Sequence, residues 1–362
     1  MFVSPRETGG VSHRWRSLVC ASFSFATLFS AALAAPEPRF FRIGTAATGG
    51  SFFEIGGVVA GAISSPADGP ACERGGSCGV RGLVAVALAT PGSIENLRLI
   101  NAGQLESGFA QADFAGWAYA GSNVFAEAGP LLRLRAIASL FPEAAHLVVR
   151  ADSPIGSLAD LAGKTVAVGE AGSGSAADAA VVFAAAGLND KGLVRKSLRP
   201  GPAAEEIKAG SLDAIFLVGG YPVPAIRDLA AAIPVRLVPI EGEIVDALKK
   251  DFSFYTRGEI PAGSYPGIDS PTPSLGFSAL WLVNADIDAD LVYAITQSLW
   301  HPATAKLLAT LDPIGTRIRL DRALDGLSVP LHPGAARFYR EAGMAVDNTL
   351  EAAPEPADAK KP

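Results

Sequence analysis

Thr90-Pro91-Gly92-Ser93-Ile94-Glu95-Asn96-Leu97 runs into Ala102-Gly103-Gln104-Leu105-Glu106-Ser107-Gly108-Phe109. Much later, Arg199-Pro200-Gly201-Pro202 runs into Ala209-Gly210-Ser211-Leu212-Asp213-Ala214-Ile215-Phe216. Both stretches read as a Pro-Gly turn, a short helix, Ala-Gly-x-Leu-acid and an apolar strand. In each, the glycine ends the helix because it accepts a left-handed conformation. Self-similarity of this kind is the sequence mark of a duplicated unit.

The upstream segments match as well. Phe40-Phe41-Arg42-Ile43-Gly44 predicts a strand entering a Gly/Thr/Ser loop, then a helix from about Ser51. Thr165-Val166-Ala167-Val168-Gly169 predicts a strand entering Glu170-Ala171-Gly172-Ser173-Gly174-Ser175, then a helix of Ala and Val. The interval from Gly44 to Pro91 is longer than that from Gly169 to Pro200 by about the length of residues 66–81, so these read as an insertion in the first copy. Strand–loop–helix alternation predicts an α/β fold of two lobes, each a mainly parallel sheet flanked by helices, with a ligand cleft between them. Lobe 1 is expected at 39–142 plus 284–345, and lobe 2 at 143–283. Apolar runs at 145–150 and 274–283 would cross between them. Helices are expected within 289–311 and 334–342, and a surface loop over 258–273. Residues 352–362 read as a disordered tail.

The chain has 362 residues, 49% hydrophobic and 18% charged, enough apolar material for two domains. The net charge of −6 and the lack of a basic block exclude an ordinary nucleic-acid binder. Residues 1–34 read as a secretory signal peptide: Arg6, His13, Arg14 and Arg16, an apolar run from Leu18 to Leu33, and Ala32-Leu33-Ala34 before Pro36. An uncleaved anchor is the alternative, though the run is short for a bilayer span. Removing the segment takes Cys20 and shifts the net charge from −6 to −8. The protein is therefore expected in the periplasm. Cys72 and Cys78 remain, and in an oxidising compartment they are expected to form a local disulfide.

Ligands of parallel α/β sheets sit beyond the carboxyl ends of the strands. The loops there offer Thr45, Thr48, Gly49 and Ser51; Ser93 and Asn96; and Ser173, Gly174 and Ser175. Each precedes or opens a helix, whose first N–H groups and positive dipole end suit an anion without a cation. The competing reading is that the hydroxyls only cap helices; Asp178, three residues after Ser175, reads as part of a capping box. Gln111 and Asp113 end a lobe 1 strand; Gln111 reads as ligand-lining and Asp113 as a ligand or a helix cap. Tyr221 ends the matching lobe 2 strand and could close over a ligand.

The first loop lacks the lysine of a phosphate-binding loop, because Gly50 stands in its place. His146, His301 and His332 have no metal-like neighbours in sequence, and His332 reads as a turn or cap residue. With no nucleophile–base pair, the chain reads as a binder rather than an enzyme, with no catalytic residue, cofactor or metal expected.

Ile43-Gly44-Thr45-Ala46-Ala47-Thr48-Gly49-Gly50-Ser51-Phe52-Phe53-Glu54-Ile55-Gly56-Gly57 resembles the opening of the TAXI family of TRAP-transporter solute receptors. So do Gly108-Phe109-Ala110-Gln111-Ala112-Asp113, Gly172-Ser173-Gly174-Ser175 and Leu331-His332-Pro333-Gly334-Ala335-Ala336-Arg337-Phe338-Tyr339. The resemblance implies a two-lobe periplasmic receptor that delivers a small carboxylate or amino acid to a TRAP permease. A monomer is expected. Phe52-Phe53 replaces a Tyr-Tyr pair common in that family, Tyr221 a histidine, and Ala176 an arginine. The loss turns the expectation from a glutamate-like ligand to a smaller or more apolar carboxylate, with Phe52 and Phe53 lining the pocket. Two alternatives are a secreted enzyme on the same fold and the receptor of an ATP-driven transporter.

Overall fold

A computed structural model describes residues 38–188, 192–252, 254–311 and 313–347. The expected signal peptide and C-terminal tail lie outside the described residues. The alternation of turn residues and apolar runs sets the element order. The first half holds β1 (Arg39–Gly44), α1 (Ser51–Ile63), β2 (Ser64–Ser65), β3 (Val80–Arg81), β4 (Leu83–Leu88), α2 (Ser93–Asn101), β5 (Ser107–Gln111) and α3 (Ala112–Ala120). The long strand β6 (Leu134–Arg150) leads into the second half. That half holds β7 (Thr165–Ala167), α4 (Gly174–Ala185), β8 (Val194–Lys196), α5 (Pro200–Ala209), β9 (Ala214–Gly219), α6 (Pro224–Ala232), β10 (Val235–Leu237), α7 (Glu243–Asp251) and β11 (Thr256–Ile260). A second long strand, β12 (Thr272–Asn284), returns to the first half, where α8 (Ala289–Leu299), α9 (Pro302–Leu308) and α10 (Pro333–Glu341) follow.

The repeat is visible in the backbone. Gly103 and Gly210 follow α2 and α5 with φ of +70° and +75°, the left-handed conformation both Ala-Gly pairs imply. The twelve strands of the described residues form one sheet in the order β3-β2-β4-β1-β5-β12-β6-β9-β7-β8, with β10 on β6 and β11 on β12. Parallel pairing flanks the centre: β1 with β4 and β5, and β7 with β8 and β9. The centre is antiparallel, β12 against β5 and β6, and β6 against β9. The sequence suggested short crossing strands; instead β6 and β12 pair from Gly276↔Ala144 to Asn284↔Leu134 and join the halves into one sheet. Both strands are buried along almost their whole length, which continuous apolar sequence permits and alternating sequence would not. The junction expected at 142/143 falls inside β6.

Part of the loop expected over 258–273 is strand. β11 pairs with β12 from Thr256↔Gly276 to Ile260↔Thr272. A Cβ on Gly258 would lie 2.7 Å from the Gly276 backbone, so this glycine permits close strand approach rather than a turn. Cys72 and Cys78 are disulfide-bonded, with Cα atoms 4.7 Å apart, and close the excursion between β2 and β4. His301, remote in sequence, lies against this pair.

Candidate functional site

The β1–α1 turn, the start of α2, the end of β5, the β7–α4 loop and the end of β9 meet around one small cavity, of about 70 Å³. It draws on both halves of the sheet. Its wall includes Ser51, Phe52, Ser93, Gln111, Ser173, Gly174 and Ser175 from the residues singled out in the sequence. Phe52 is held edge-on to Phe109 and Phe141, with ring centroids 5.7 and 6.1 Å away, and Phe109 in turn to Trp281 at 6.2 Å. This aromatic stack makes a firm apolar wall, since such contacts add to the burial energy of each ring. Phe53 is not part of the wall.

The hydroxyls do less ligand-facing work than their sequence positions suggest. Ser173 Oγ donates to the Glu170 carbonyl at 2.7 Å and accepts from the Ala176 N–H at 3.1 Å, capping α4. Ser175 Oγ accepts from the Val218 N–H at 2.9 Å and donates to its carbonyl at 3.4 Å, tying α4 to β9. Ser93 Oγ accepts from the Gln111 N–H at 3.2 Å and donates to Gln111 Oε1 at 3.3 Å. Ser51 Oγ accepts from the Gly220 N–H at 3.0 Å, a link across the halves, and its own proton has no acceptor among the described residues. The open donors are therefore the Ser51 hydroxyl and the leading amides of α1 and α2; in the first turn of α2 the Glu95 N–H is already taken by the Gly172 carbonyl at 3.3 Å. Those helices start after Gly50 and Gly92, both on the cavity wall, with no side-chain cap. Uncapped first-turn N–H groups and the helix dipole together favour an anion.

The other expected residues are not brought to the wall. Thr45 is buried, its hydroxyl donating to the Leu88 carbonyl at 2.7 Å. Thr48 is exposed and does not line the cavity. Gly49 uses its carbonyl to accept the Ala225 N–H at 3.1 Å. Asn96 is fully buried and braces the loop from behind: Nδ2 donates to the carbonyls of Thr45 and Phe109 at 2.7 and 2.8 Å, and Oδ1 accepts from the Thr90 hydroxyl at 2.8 Å. Tyr221 is buried away from the cavity with the Arg317 guanidinium 4.1 Å from its ring centroid.

Three charged groups on the wall, Glu143, Glu170 and Arg199, were not among the expected residues. Arg199 lines the cavity and is ion-paired with Glu170 at 2.8 Å, which corrects the expectation of a site with no nearby cation. Glu143, on β6, lines it from the centre of the sheet. Its signal in the sequence was a single acid inside the run 134–150. Burial, followed by the neighbouring charge of Asp113, pushes the Glu143 carboxyl well above its ordinary range. Asp113 and Asp178 stand close by, both buried and both raised by burial. Neither serves as a cap. Ser173 caps α4 with Ala176 at the third position, and Asp178 instead accepts from Gln111 Nε2 at 2.7 Å and the Tyr255 hydroxyl at 3.0 Å. Both Asp113 oxygens lack a hydrogen-bond partner.

The histidines are engaged elsewhere. His146 Nε2 pairs with the Tyr265 hydroxyl at 2.8 Å, and burial lowers its pKa to about 4. His301 and His332 cap α9 and α10 through ring nitrogens, so the cap expected of His332 is present. Cys72, Cys78 and His301 are the grouping of possible metal-ligand residues among the described residues, and its sulfurs are spent on the disulfide.

The NMT1-like family matches residues 43–343, which span both sides of the cavity. The chain belongs to the NMT1-like family. The match is to that family and does not reach the narrower TAXI grouping. Solved structures with low similarity include the alkanesulfonate-binding protein SsuA from Xanthomonas axonopodis pv. citri bound to MOPS, at 18% identity over 87% of this chain and 97% of that one, TM-score 0.43. A periplasmic transporter structure is 16% identical over 84% and 94%, TM-score 0.46. The substrate-binding protein of an amino acid ABC transporter is 14% identical over 75% and 98%, TM-score 0.41. That last protein is named as part of an ABC transporter, and the family match specifies no permease for this chain. This NMT1-like protein has an α/β fold, with two α/β halves, crossing strands and a cavity between them. Among the described residues, no helix is long and apolar enough to cross a membrane.

Proposed function

We propose that this protein is an extracytoplasmic receptor that captures a small carboxylate or amino acid and delivers it to a membrane permease. One observation carries the reading: two helix N-termini without a side-chain cap, those of α1 and α2, open on a cavity whose opposite wall comes from the other half of the sheet. Backbone amides there can hold a carboxylate, and a solute touching both halves draws them together. The cavity hydroxyls are bonded to backbone groups and to Gln111 rather than to a base, which supports binding over turnover. For the permease, the ATP-driven class is the first reading and the TRAP class the second. In cells, uptake of the captured solute should stop when ATP is depleted under a maintained ion gradient. Uptake that instead follows the gradient would restore the TRAP reading.

The ligand class is tested by calorimetry with carboxylic acids, amino acids and neutral sugars. One-to-one binding of a carboxylate or amino acid is expected. Several hydrogen bonds to a charged group, about 1.5–3 kcal/mol each, offset by immobilisation costs, are compatible with micromolar affinity. Tight binding of a sugar without response to carboxylates, or turnover of the bound compound, would refute the proposal.

A further inference from the structure

We infer that the solute carries a protonated amino group beside its carboxylate, and that Glu143 is the counter-charge waiting for it. The inference rests on the receptor reading above and narrows it to a zwitterion of the amino acid class. Glu143 is 2% exposed, stands on the cavity wall, and its Oε2 has no hydrogen-bond partner. Among the described residues it forms no ion pair, and neither does Asp113 or Asp178.

Three buried carboxyls without a cation are not what a fold requires for its own sake. An unpaired buried charge costs several kcal/mol, so burial favours the protonated form of each, and apolar residues of the same volume would avoid burying an acid at all. The nearest cation on the wall, Arg199, is already neutralised by Glu170. Gln111 cannot substitute, since its amide donates to Asp178 and its Oε1 takes the Ser93 hydroxyl. The wall thus has opposite preferences at two places. The starts of α1 and α2 favour a negative group, and Glu143 favours a positive one. Burial raises the Glu143 carboxyl while the cavity is empty, and an arriving ammonium opposes that shift. In a cavity of about 70 Å³ both charges must belong to one small molecule.

The test compares L-amino acids with the matching 2-hydroxy acids, which replace the ammonium by a hydroxyl and keep the carboxylate and side chain. Calorimetry on the wild-type protein should show the best amino acid binding at least tenfold more tightly than its hydroxy partner. Glu143→Gln keeps the volume and removes the charge. It should lower amino acid affinity at least tenfold and leave hydroxy acid affinity within a few fold, with an unchanged circular dichroism spectrum. Hydroxy acids binding the wild type as tightly as amino acids would overturn the inference and leave the receptor reading standing. So would a Glu143→Gln protein that keeps the preference. Sugar binding with no response to either acid class would overturn both.

Discussion

Replacing Asn96 by alanine should destabilise the protein severely, although Asn96 is not on the cavity wall. The side chain has no exposed surface. Its amide nitrogen donates to the Thr45 and Phe109 carbonyls at 2.7 and 2.8 Å, and its oxygen accepts the Thr90 hydroxyl at 2.8 Å. Alanine removes all three bonds. At about 0.5–1.5 kcal/mol net each, the direct loss is about 1.5–4.5 kcal/mol. The Thr45 carbonyl keeps the Thr90 hydroxyl at 3.1 Å, but losing the amide donor to the buried Phe109 carbonyl adds a desolvation cost of about 1–3 kcal/mol, which moves the expectation to the upper part of that range, about 3–4.5 kcal/mol. Urea unfolding measures it as a fall in the midpoint with the slope unchanged. Asn96→Asp gives a second reading. A carboxylate cannot donate to two carbonyls, so this variant should be as damaging at pH 7 and recover as pH falls and the acid protonates. A loss below about 1 kcal/mol for Asn96→Ala would refute the assignment of Asn96 as the brace of the 45–50 turn.

Thiol titration of the denatured, unreduced mature protein should find no free thiol, since Cys72 and Cys78 are bonded; two would contradict it. Asp113 is raised by burial to about 7 from an ordinary 3.8. The folded protein therefore holds a proton that the unfolded chain has released, and stability is lost as pH rises across that window. Asp113→Asn removes this loss, so its melting temperature should gain on the wild type progressively from pH 4 to pH 7; a gap that does not change with pH would refute it. His146 works in the opposite sense. It stays neutral in the fold down to about pH 4, so its contribution is lost as pH falls from 6.5 to 4, and its imidazole resonances should titrate only near the lower value. Ser51→Ala removes the one cavity hydroxyl with an uncommitted proton and should weaken carboxylate binding several fold; unchanged affinity would exclude that contact.

The repeated Ala-Gly-x-Leu-acid units were legible because a helix stop requires glycine and leaves a mark at a fixed offset, seen at Gly103 and Gly210. The loops at the cavity were legible for the same reason: Gly50 and Gly92 precede helices that begin at the expected residues. The direction of a hydroxyl was not. Ser173 and Ser175 have the right positions, yet their bonds run to Glu170 and Val218, partners that only the fold brings near. Asn96 and Tyr221 lie off the cavity wall, because spacing locates a residue on an element and not on one of its faces. Glu143 was hidden by the junction expected beside it, where a lone acid in an apolar strand was itself the signal. Gly258 was taken as loop-forming, although glycine serves equally where two strand backbones nearly touch.

The central claim is that the cavity between the two halves is the solute site. A crystal structure of the protein with the solute it carries from the periplasm tests it directly. The expected result is one small molecule between residues 50–52, 91–93 and 173–175, with its carboxylate at the starts of α1 and α2. A solute bound anywhere else on the protein would contradict it.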